Sequence, residues 1–166
     1  MPGAFYVNGS VFAFGDRENN LARAMEEIQD RGLKIARRSA IYETEPVEIR
    51  DQGWFLNCAL EAETELMPRQ LMNALLEIER DLGRRRRIKY GPRVIDLDIL
   101  LLGSSIVKTP ELVIPHPKMA ERRFVLVPLA EIAPEARHPV LRKSVAELLA
   151  ECTDQSEVRR WAPPGT

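Results

Sequence analysis

The order in which apolar patterns follow one another along the first 103 residues is the feature that most limits the fold of this chain. Segments with the character of strands cover residues 4–14, 34–42, 54–66 and 94–102, and segments with helical apolar spacing cover residues 17–31 and 68–83. The order is therefore strand, helix, strand, strand, helix, strand. It predicts a ferredoxin-like α+β fold, an antiparallel sheet with two helices on one face.

Glycine and proline mark the predicted ends of the helices. Gly32 follows the first helical pattern where a left-handed cap is expected, and Pro68 is well placed to open the second helix. Gly83 is expected to end that second helix. For the remaining chain we expect short extended pieces near residue 106 and at 113–117, and short C-terminal helices at 121–131 and 144–151.

The length favours a single domain over residues 1–166, because 166 residues suffice for one hydrophobic core and are too few for two, and 45% hydrophobic and 30% charged residues are ordinary for a soluble globular protein. The net charge of −1 gives no general attraction to nucleic acid or to a membrane surface. No apolar run approaches the length of a bilayer span, and the two cysteines, Cys58 and Cys152, lie far apart. We therefore expect a cytoplasmic protein with free thiols and with neither nucleic acid nor membrane as a partner.

Two aspartates, Asp96 and Asp98, interrupt the most strand-like stretch of the chain. Residues two apart on a strand point to the same face, which places their Cα atoms roughly 6.5 Å apart. Two such carboxylates repel each other unless a cation lies between them, and Mg²⁺ is commonly bound by carboxylates together with substrate phosphates. The alternative is that both aspartates lie at a solvated strand end or pair with arginines.

A basic segment, residues 84–89, contains four arginines and a lysine, and residues 91–93 turn the chain from it into this strand. A solvated basic face is the usual explanation of such a run. Beside an acidic pair, however, guanidinium groups that bind phosphate oxygens are what phosphoryl transfer requires. The chain contains no GxxxxGK[ST] motif, so the predicted polyphosphate site is not a P-loop.

The stretch KYGPRVIDLDILLLG, residues 89–103, resembles the signature of the hydroxymethyldihydropterin pyrophosphokinases, in which a GPR turn leads into D-[LIV]-D-[LIV]. Five further segments are similar to that family in the same order: YETEPV at 42–47, WFLN at 54–57, IERDLGR at 78–84, IPHP at 114–117 and ERRFVLVPL at 121–129. The resemblance covers nearly the whole chain.

The resemblance implies an enzyme that transfers pyrophosphate from ATP to the hydroxymethyl group of 6-hydroxymethyl-7,8-dihydropterin and releases AMP. Two Mg²⁺ ions would be held by Asp96 and Asp98, with ATP as co-substrate. The ions would neutralise charge on both sides of an in-line displacement at the β-phosphorus and acidify the attacking alcohol. The protein would act as a monomer and would need no general base of its own.

The resemblance also assigns roles to individual residues. Arg84, Arg93, Asp96 and Asp98 match catalytic positions. The ATP side would be formed by Glu79, Arg84, Arg86, Arg93, Ile99, His116 and Arg122, and the pterin pocket by Thr44, Val47, Phe55, Asn57, Tyr90 and Phe124. For each aromatic residue, ordinary core packing is the alternative, and His116 could be either a phosphate donor or a loop residue.

The first loop departs from the family pattern GSNLGDR. Here Gly9 and Ser10 are separated from Gly15, Asp16 and Arg17, so either two residues are inserted after Ser10 or a short stretch is missing after Gly15. This departure leaves a catalytically inactive relative as one alternative. An RNA-binding module is another, because basic loops on a ferredoxin-like sheet also bind RNA, but the sheet lacks the aromatic pattern of such modules.

Overall fold

The computed structural model describes residues 3–11, 17–45, 54–85 and 95–162, and the fold is given for these ranges. The strands are β1 (Gly3–Val11), β2 (Lys34–Arg38), β3 (Tyr42–Thr44), β4 (Phe55–Thr64), β5 (Ile95–Leu102), β6 (Val107–Lys108), β7 (Val113–Ile114) and β8 (Val158–Arg160). The helices are α1 (Arg17–Asp30), α2 (Pro68–Arg85), α3 (Arg123–Ile132) and α4 (Val145–Glu151), with a 3₁₀ helix at Met119–Glu121.

The main sheet is antiparallel, with strands in the order β5, β1, β4, β3 and β8, and β2 also pairs with β4. Strands β6 and β7 form a separate two-stranded hairpin. The order β5, β1, β4 and then β2 or β3 is the spatial order that a split βαβ pattern produces. The predicted ferredoxin-like α+β fold is therefore confirmed.

Helices cover both faces of the sheet. On one face, apolar residues of α1 and α2 such as Leu21, Ile28 and Leu75 pack on alternate residues of β1, β4 and β5. On the other face, Val125 and Leu129 of α3 pack with residues of the sheet and of α4. The second layer of helices is why more of β4 is buried than alternation alone predicts.

The segment predicted as one strand at 34–42 forms two strands, β2 and β3. Between them, the regular ladder of backbone hydrogen bonds is interrupted at Ser39. The Ser39 amide donates to the Ala59 carbonyl, but the Ala59 amide donates to the Ser39 hydroxyl oxygen, at 2.9 Å. Both strands still pair with β4. The break is a local irregularity that the sequence pattern of residues 34–42 does not reveal.

Two boundary predictions had different outcomes. Gly32 adopts φ of 80°, which confirms the left-handed cap after α1. The prediction that Gly83 ends the second helix is wrong, since α2 continues to Arg85. Gly83 is not among the glycines with positive φ, and a glycine within helical backbone weakens a helix without ending it.

In the described part of the chain, no helix combines the length and apolarity that a bilayer span needs.

Candidate active site

One face of the sheet carries polar side chains from β1, β3, β4 and β5, and we call this region the polar face. Ser10 of β1 lies opposite both Asp96 and Asn57, and Asn8 lies opposite Asp98. Directly opposed residues in an antiparallel sheet point to the same side, so Asp96 and Asp98 share one face with these neighbours. Both aspartates are partly exposed, whereas Ile95, Leu97 and Ile99 between and beside them are buried.

A hydrogen-bonded row of side chains crosses the polar face from β3 to β1. The amide nitrogen of Asn57 donates to the Thr44 hydroxyl at 2.6 Å, and the amide nitrogen of Asn8 donates to the Asn57 carbonyl oxygen at 3.2 Å. All three residues are at most 1% exposed. These bonds fix the orientation of the Asn57 amide, with its oxygen towards β1 and its nitrogen towards β3.

Asn8 is the residue of this row that sequence reasoning missed. Its side-chain oxygen is buried and has no hydrogen-bond partner among the described residues. The available signal was an asparagine in an otherwise apolar strand, two residues before Ser10. Its neighbour Asn57 lies 49 residues further along the chain, so the contact depends on the pairing of β1 with β4.

Two aromatic residues predicted to bind the substrate lie on the side of the polar face. Phe55 begins β4 and is the register partner of Thr44, so it projects beside that hydroxyl. Phe124 belongs to the first turn of α3, which packs on the same side of the sheet, and the guanidinium carbon of Arg122 is 5.7 Å from its ring centre. Both rings are partly exposed.

A cavity of about 300 Å³ opens at the edge of β5, between α2 and the hairpin of β6 and β7. Its lining is mainly apolar and comprises Met72, Leu75, Leu76, Glu79, Leu97, Asp98, Ile99, Pro110, Glu111, Leu112, Val113, His116 and Pro117. Three residues predicted on the ATP side, Glu79, Ile99 and His116, are thus brought together around one space. Asp98 borders both this cavity and the polar face.

Glu79 has a second role that its position in the cavity wall does not reveal. Its carboxylate accepts a hydrogen bond of 2.7 Å from the backbone amide of Leu97, the residue between the two aspartates. Since β5 is at one end of the strand order, this amide would otherwise lie on the outer edge of the sheet. Glu79 therefore fixes the backbone from which both aspartates project.

Replacing Glu79 with alanine is expected to lower the free energy of unfolding by about 1–3 kcal/mol, because the Leu97 amide loses its acceptor. Turnover is expected to fall about tenfold, since the loosened strand carries both aspartates. Glu79→Gln retains a carbonyl acceptor at the same place and should preserve most of both quantities. Urea unfolding and steady-state kinetics measure the two effects, and wild-type turnover in Glu79→Ala would contradict this positioning role.

His116 is held in one tautomer at the mouth of the cavity. Its Nδ1 accepts a hydrogen bond of 3.2 Å from the Lys118 amide, so the neutral imidazole carries its proton on Nε2 and can donate from there. Burial, together with the charges of Arg122 and Lys118, lowers the pKa of His116 below its usual value of 6.5. The ring is therefore a neutral donor at neutral pH, beside the positive charge of Arg122.

Several predicted site residues lie outside the described part of the chain. These are Val47, Arg86, Tyr90 and Arg93. The backbone of Arg84 lies in the last turn of α2, and its side chain is not among those described. Their roles stay predictions.

The chain is similar to known proteins of one family over most of its length. The model of a family described as 7,8-dihydro-6-hydroxymethylpterin-pyrophosphokinase (HPPK) matches residues 9–134. The 2-amino-4-hydroxy-6-hydroxymethyldihydropteridine pyrophosphokinase of Bacillus subtilis is 43% identical over 89% of this chain and 84% of its own length. Its counterpart in Methylorubrum extorquens is 44% identical over 88% of this chain and 91% of its own length.

Solved structures give an independent comparison of the fold. The HPPK-DHPS of Plasmodium falciparum, crystallised as its A437G variant with STZ-DHP, superimposes with a TM-score of 0.70 over 91% of this chain, at 16% sequence identity. This chain spans 45% of that longer chain. At such low identity the likeness supports the ferredoxin-like fold alone.

Proposed function

Since this chain belongs to the 7,8-dihydro-6-hydroxymethylpterin-pyrophosphokinase family, we propose that its polar face binds the pterin and that the cavity beside β5 binds ATP. The chain transfers pyrophosphate from ATP to the hydroxymethyl group of 6-hydroxymethyl-7,8-dihydropterin, giving AMP and the pterin pyrophosphate, a reaction of folate biosynthesis. The observation that carries the proposed arrangement is the position of Asp98, which borders both binding regions. The two substrates would therefore meet at the aspartate pair.

The residues present fit divalent cations. Asp96 and Asp98 offer carboxylate oxygens from one face of one strand, both are partly exposed, and hard cations such as Mg²⁺ prefer oxygen ligands. We propose that these two residues hold two Mg²⁺ ions together with phosphate oxygens of ATP. When bound, the ions would supply charge neutralisation for the transferred group and lower the pKa of the attacking alcohol.

ATP would place its base in the apolar part of the cavity, where Leu75, Leu112 and Ile99 provide the walls. Its triphosphate would then extend towards Asp98. His116 would donate from Nε2 to a phosphate oxygen, and Arg122 would add positive charge at the same side. Arg84, Arg86 and Arg93 are proposed as further phosphate contacts, with Arg84 and Arg93 acting on the transferred group.

The pterin would bind across the polar face with its polar edge on Asn57. The amide of Asn57 presents one acceptor and one donor in a fixed order, because Asn8 and Thr44 hold it from both sides. Phe55 and Phe124 would pack against the flat ring, and Val47 and Tyr90 are proposed to complete the pocket. The hydroxymethyl group would point along β1 towards the aspartates.

In this arrangement the protein acts mainly by positioning. Asn57 and the aromatic residues orient the alcohol, and the cavity orients the β-phosphorus for in-line attack. His116 is a donor in its neutral form, so it stabilises phosphate charge without removing a proton. The monomeric state, the single-domain organisation, the cytoplasmic location and the lack of RNA binding stay predictions.

A direct assay tests the proposed function, and AMP formation in it would exclude the alternative of a catalytically inactive relative. The purified chain is incubated with MgATP and 6-hydroxymethyl-7,8-dihydropterin, and nucleotides are separated by chromatography. We expect AMP to form in equal amount with pterin pyrophosphate, and no AMP when the pterin is omitted. Failure to form AMP in the complete mixture would rule out the activity for this chain.

A further inference from the structure

A cluster of four residues lies on the opposite side of the sheet from Thr44 and Phe55, and we call it the Glu43 cluster: Arg17, Glu43, Trp54 and Arg159. Glu43 directly precedes Thr44 on β3, and Trp54 directly precedes Phe55 on β4. Thr44 and Phe55 are register partners. Glu43 and Trp54 are therefore the chain neighbours of the two residues that we assign to the pterin pocket, and their side chains lie on the other side of the sheet.

Glu43 is the centre of the cluster. One of its carboxylate oxygens accepts from Arg17 at 3.0 Å, and the other accepts from Arg159 at 2.8 and 3.2 Å. Burial alone would raise the pKa of Glu43, but the hydrogen bonds and charges of Arg159 and Arg17 outweigh it and lower the pKa. Glu43 thus stays ionised and links the start of α1 to the C-terminal strand.

Trp54, the residue before β4, joins the same cluster. Arg17 donates to its backbone carbonyl at 2.6 Å, and the guanidinium carbon of Arg159 lies 4.3 Å from its ring centre. A guanidinium group at this distance makes a favourable cation–π contact. Arg159 therefore contacts both the residue before Thr44 and the residue before Phe55.

Arg159 belongs to β8, which lies outside the residues matched by the family model. This strand pairs with β3, and the flanking residues add two bonds, since the Glu45 amide donates to the Glu157 carbonyl and the Glu157 amide donates to the Glu45 carboxylate. Resting on the pterin site proposed above, we infer that Arg159 is a positioning residue for the pterin. Through Glu43 and Trp54 it sets the relative placement of Thr44 and Phe55.

The chain offers a matched control for this inference. Arg37 on β2 binds Glu61 on β4 at 2.7 Å, and the exposed fractions of the two side chains are 58% and 12%. Arg159 and Glu43 are bound at 2.8 Å and are 56% and 15% exposed. The control pair is likewise an arginine–glutamate ion pair on the same sheet, with the Tyr6 hydroxyl as a further donor to Glu61 at 2.8 Å, but Glu61 lies roughly 20 Å along β4 from Phe55.

We compare Arg159→Met with Arg37→Met by steady-state kinetics with each substrate varied in turn. Arg159→Met is expected to raise the KM for the pterin about tenfold, because Thr44 and Phe55 would be displaced and would orient the pterin less well. The KM for ATP should stay within about twofold of the wild type. Arg37→Met should change neither constant, and thermal unfolding of both variants should stay close to the wild type, because ion pairs of arginines this exposed contribute little to stability.

The double variant Glu43→Gln with Arg159→Met adds a second criterion. Since Arg159 acts partly through Glu43, the two changes are not additive, so the double variant should raise the pterin KM by less than the product of the factors measured for Glu43→Gln and Arg159→Met alone. A full product would contradict action through Glu43. If the wild type forms AMP but Arg159→Met and Arg37→Met have equal pterin KM values, this inference is wrong while the proposed function stands. Absence of AMP from the wild type would instead refute the proposed function itself.

Discussion

Asp96→Asn and Asp98→Asn are each expected to reduce turnover by at least about a thousandfold. Each change keeps the size of the side chain and removes the negative charge that would bind a cation. Both side chains are partly exposed, and asparagine keeps their shape and one carbonyl oxygen, so the fold should persist. Steady-state AMP formation and thermal unfolding measure the two effects.

Asp30→Asn is the control for this pair. Asp30 is exposed at the end of α1, away from the polar face, so the same chemical change there should leave turnover and unfolding close to the wild type. Wild-type turnover in either Asp96→Asn or Asp98→Asn would contradict the assignment of the aspartates to the cation site.

Asn57→Leu is expected to lower kcat/KM for the pterin by at least about a hundredfold, because a site built to hydrogen-bond its substrate loses that amide. The KM for ATP should stay close to the wild type. The change also leaves the Asn8 amide without its acceptor and the Thr44 hydroxyl without its donor, which should lower the free energy of unfolding by about 1–3 kcal/mol.

Asn73→Leu is a suitable comparison for that variant. Asn73 is exposed on α2, so it undergoes the same substitution without touching the polar face. Substrate titrations in parallel with urea unfolding separate the loss of recognition from the loss of stability. If Asn57→Leu loses stability but keeps its kcat/KM for the pterin, Asn57 has only a structural role.

The aspartate pair could be predicted from the sequence because the information is local. Alternation along a strand places Asp96 and Asp98 on one face regardless of what the rest of the chain does. The order of strands and helices likewise follows from short-range apolar patterns, and the pairing of β1 with β4 and β5 follows from that order. These features need no knowledge of distant side chains.

The features that were missed depend on contacts between distant parts of the chain. Strand β8 has three residues, Val158–Arg160, two of them charged, and its pairing with β3 joins residues more than 100 positions apart. Ser39 interrupts a predicted strand only because the amide of Ala59 is beside it. Asn8 joins the site only after β1 pairs with β4, and no short-range pattern contains that information.

The most direct measurement is a crystal structure of this chain with a nonhydrolysable ATP analogue, 6-hydroxymethyl-7,8-dihydropterin and Mn²⁺ in place of Mg²⁺, phased so that anomalous scattering locates the cations. We expect two cation peaks, with carboxylate oxygens of both Asp96 and Asp98 at about 2.0–2.3 Å from them and phosphate oxygens completing the shell. A map without cations beside these oxygens, or with the two carboxylates on opposite faces of the sheet, would contradict the account.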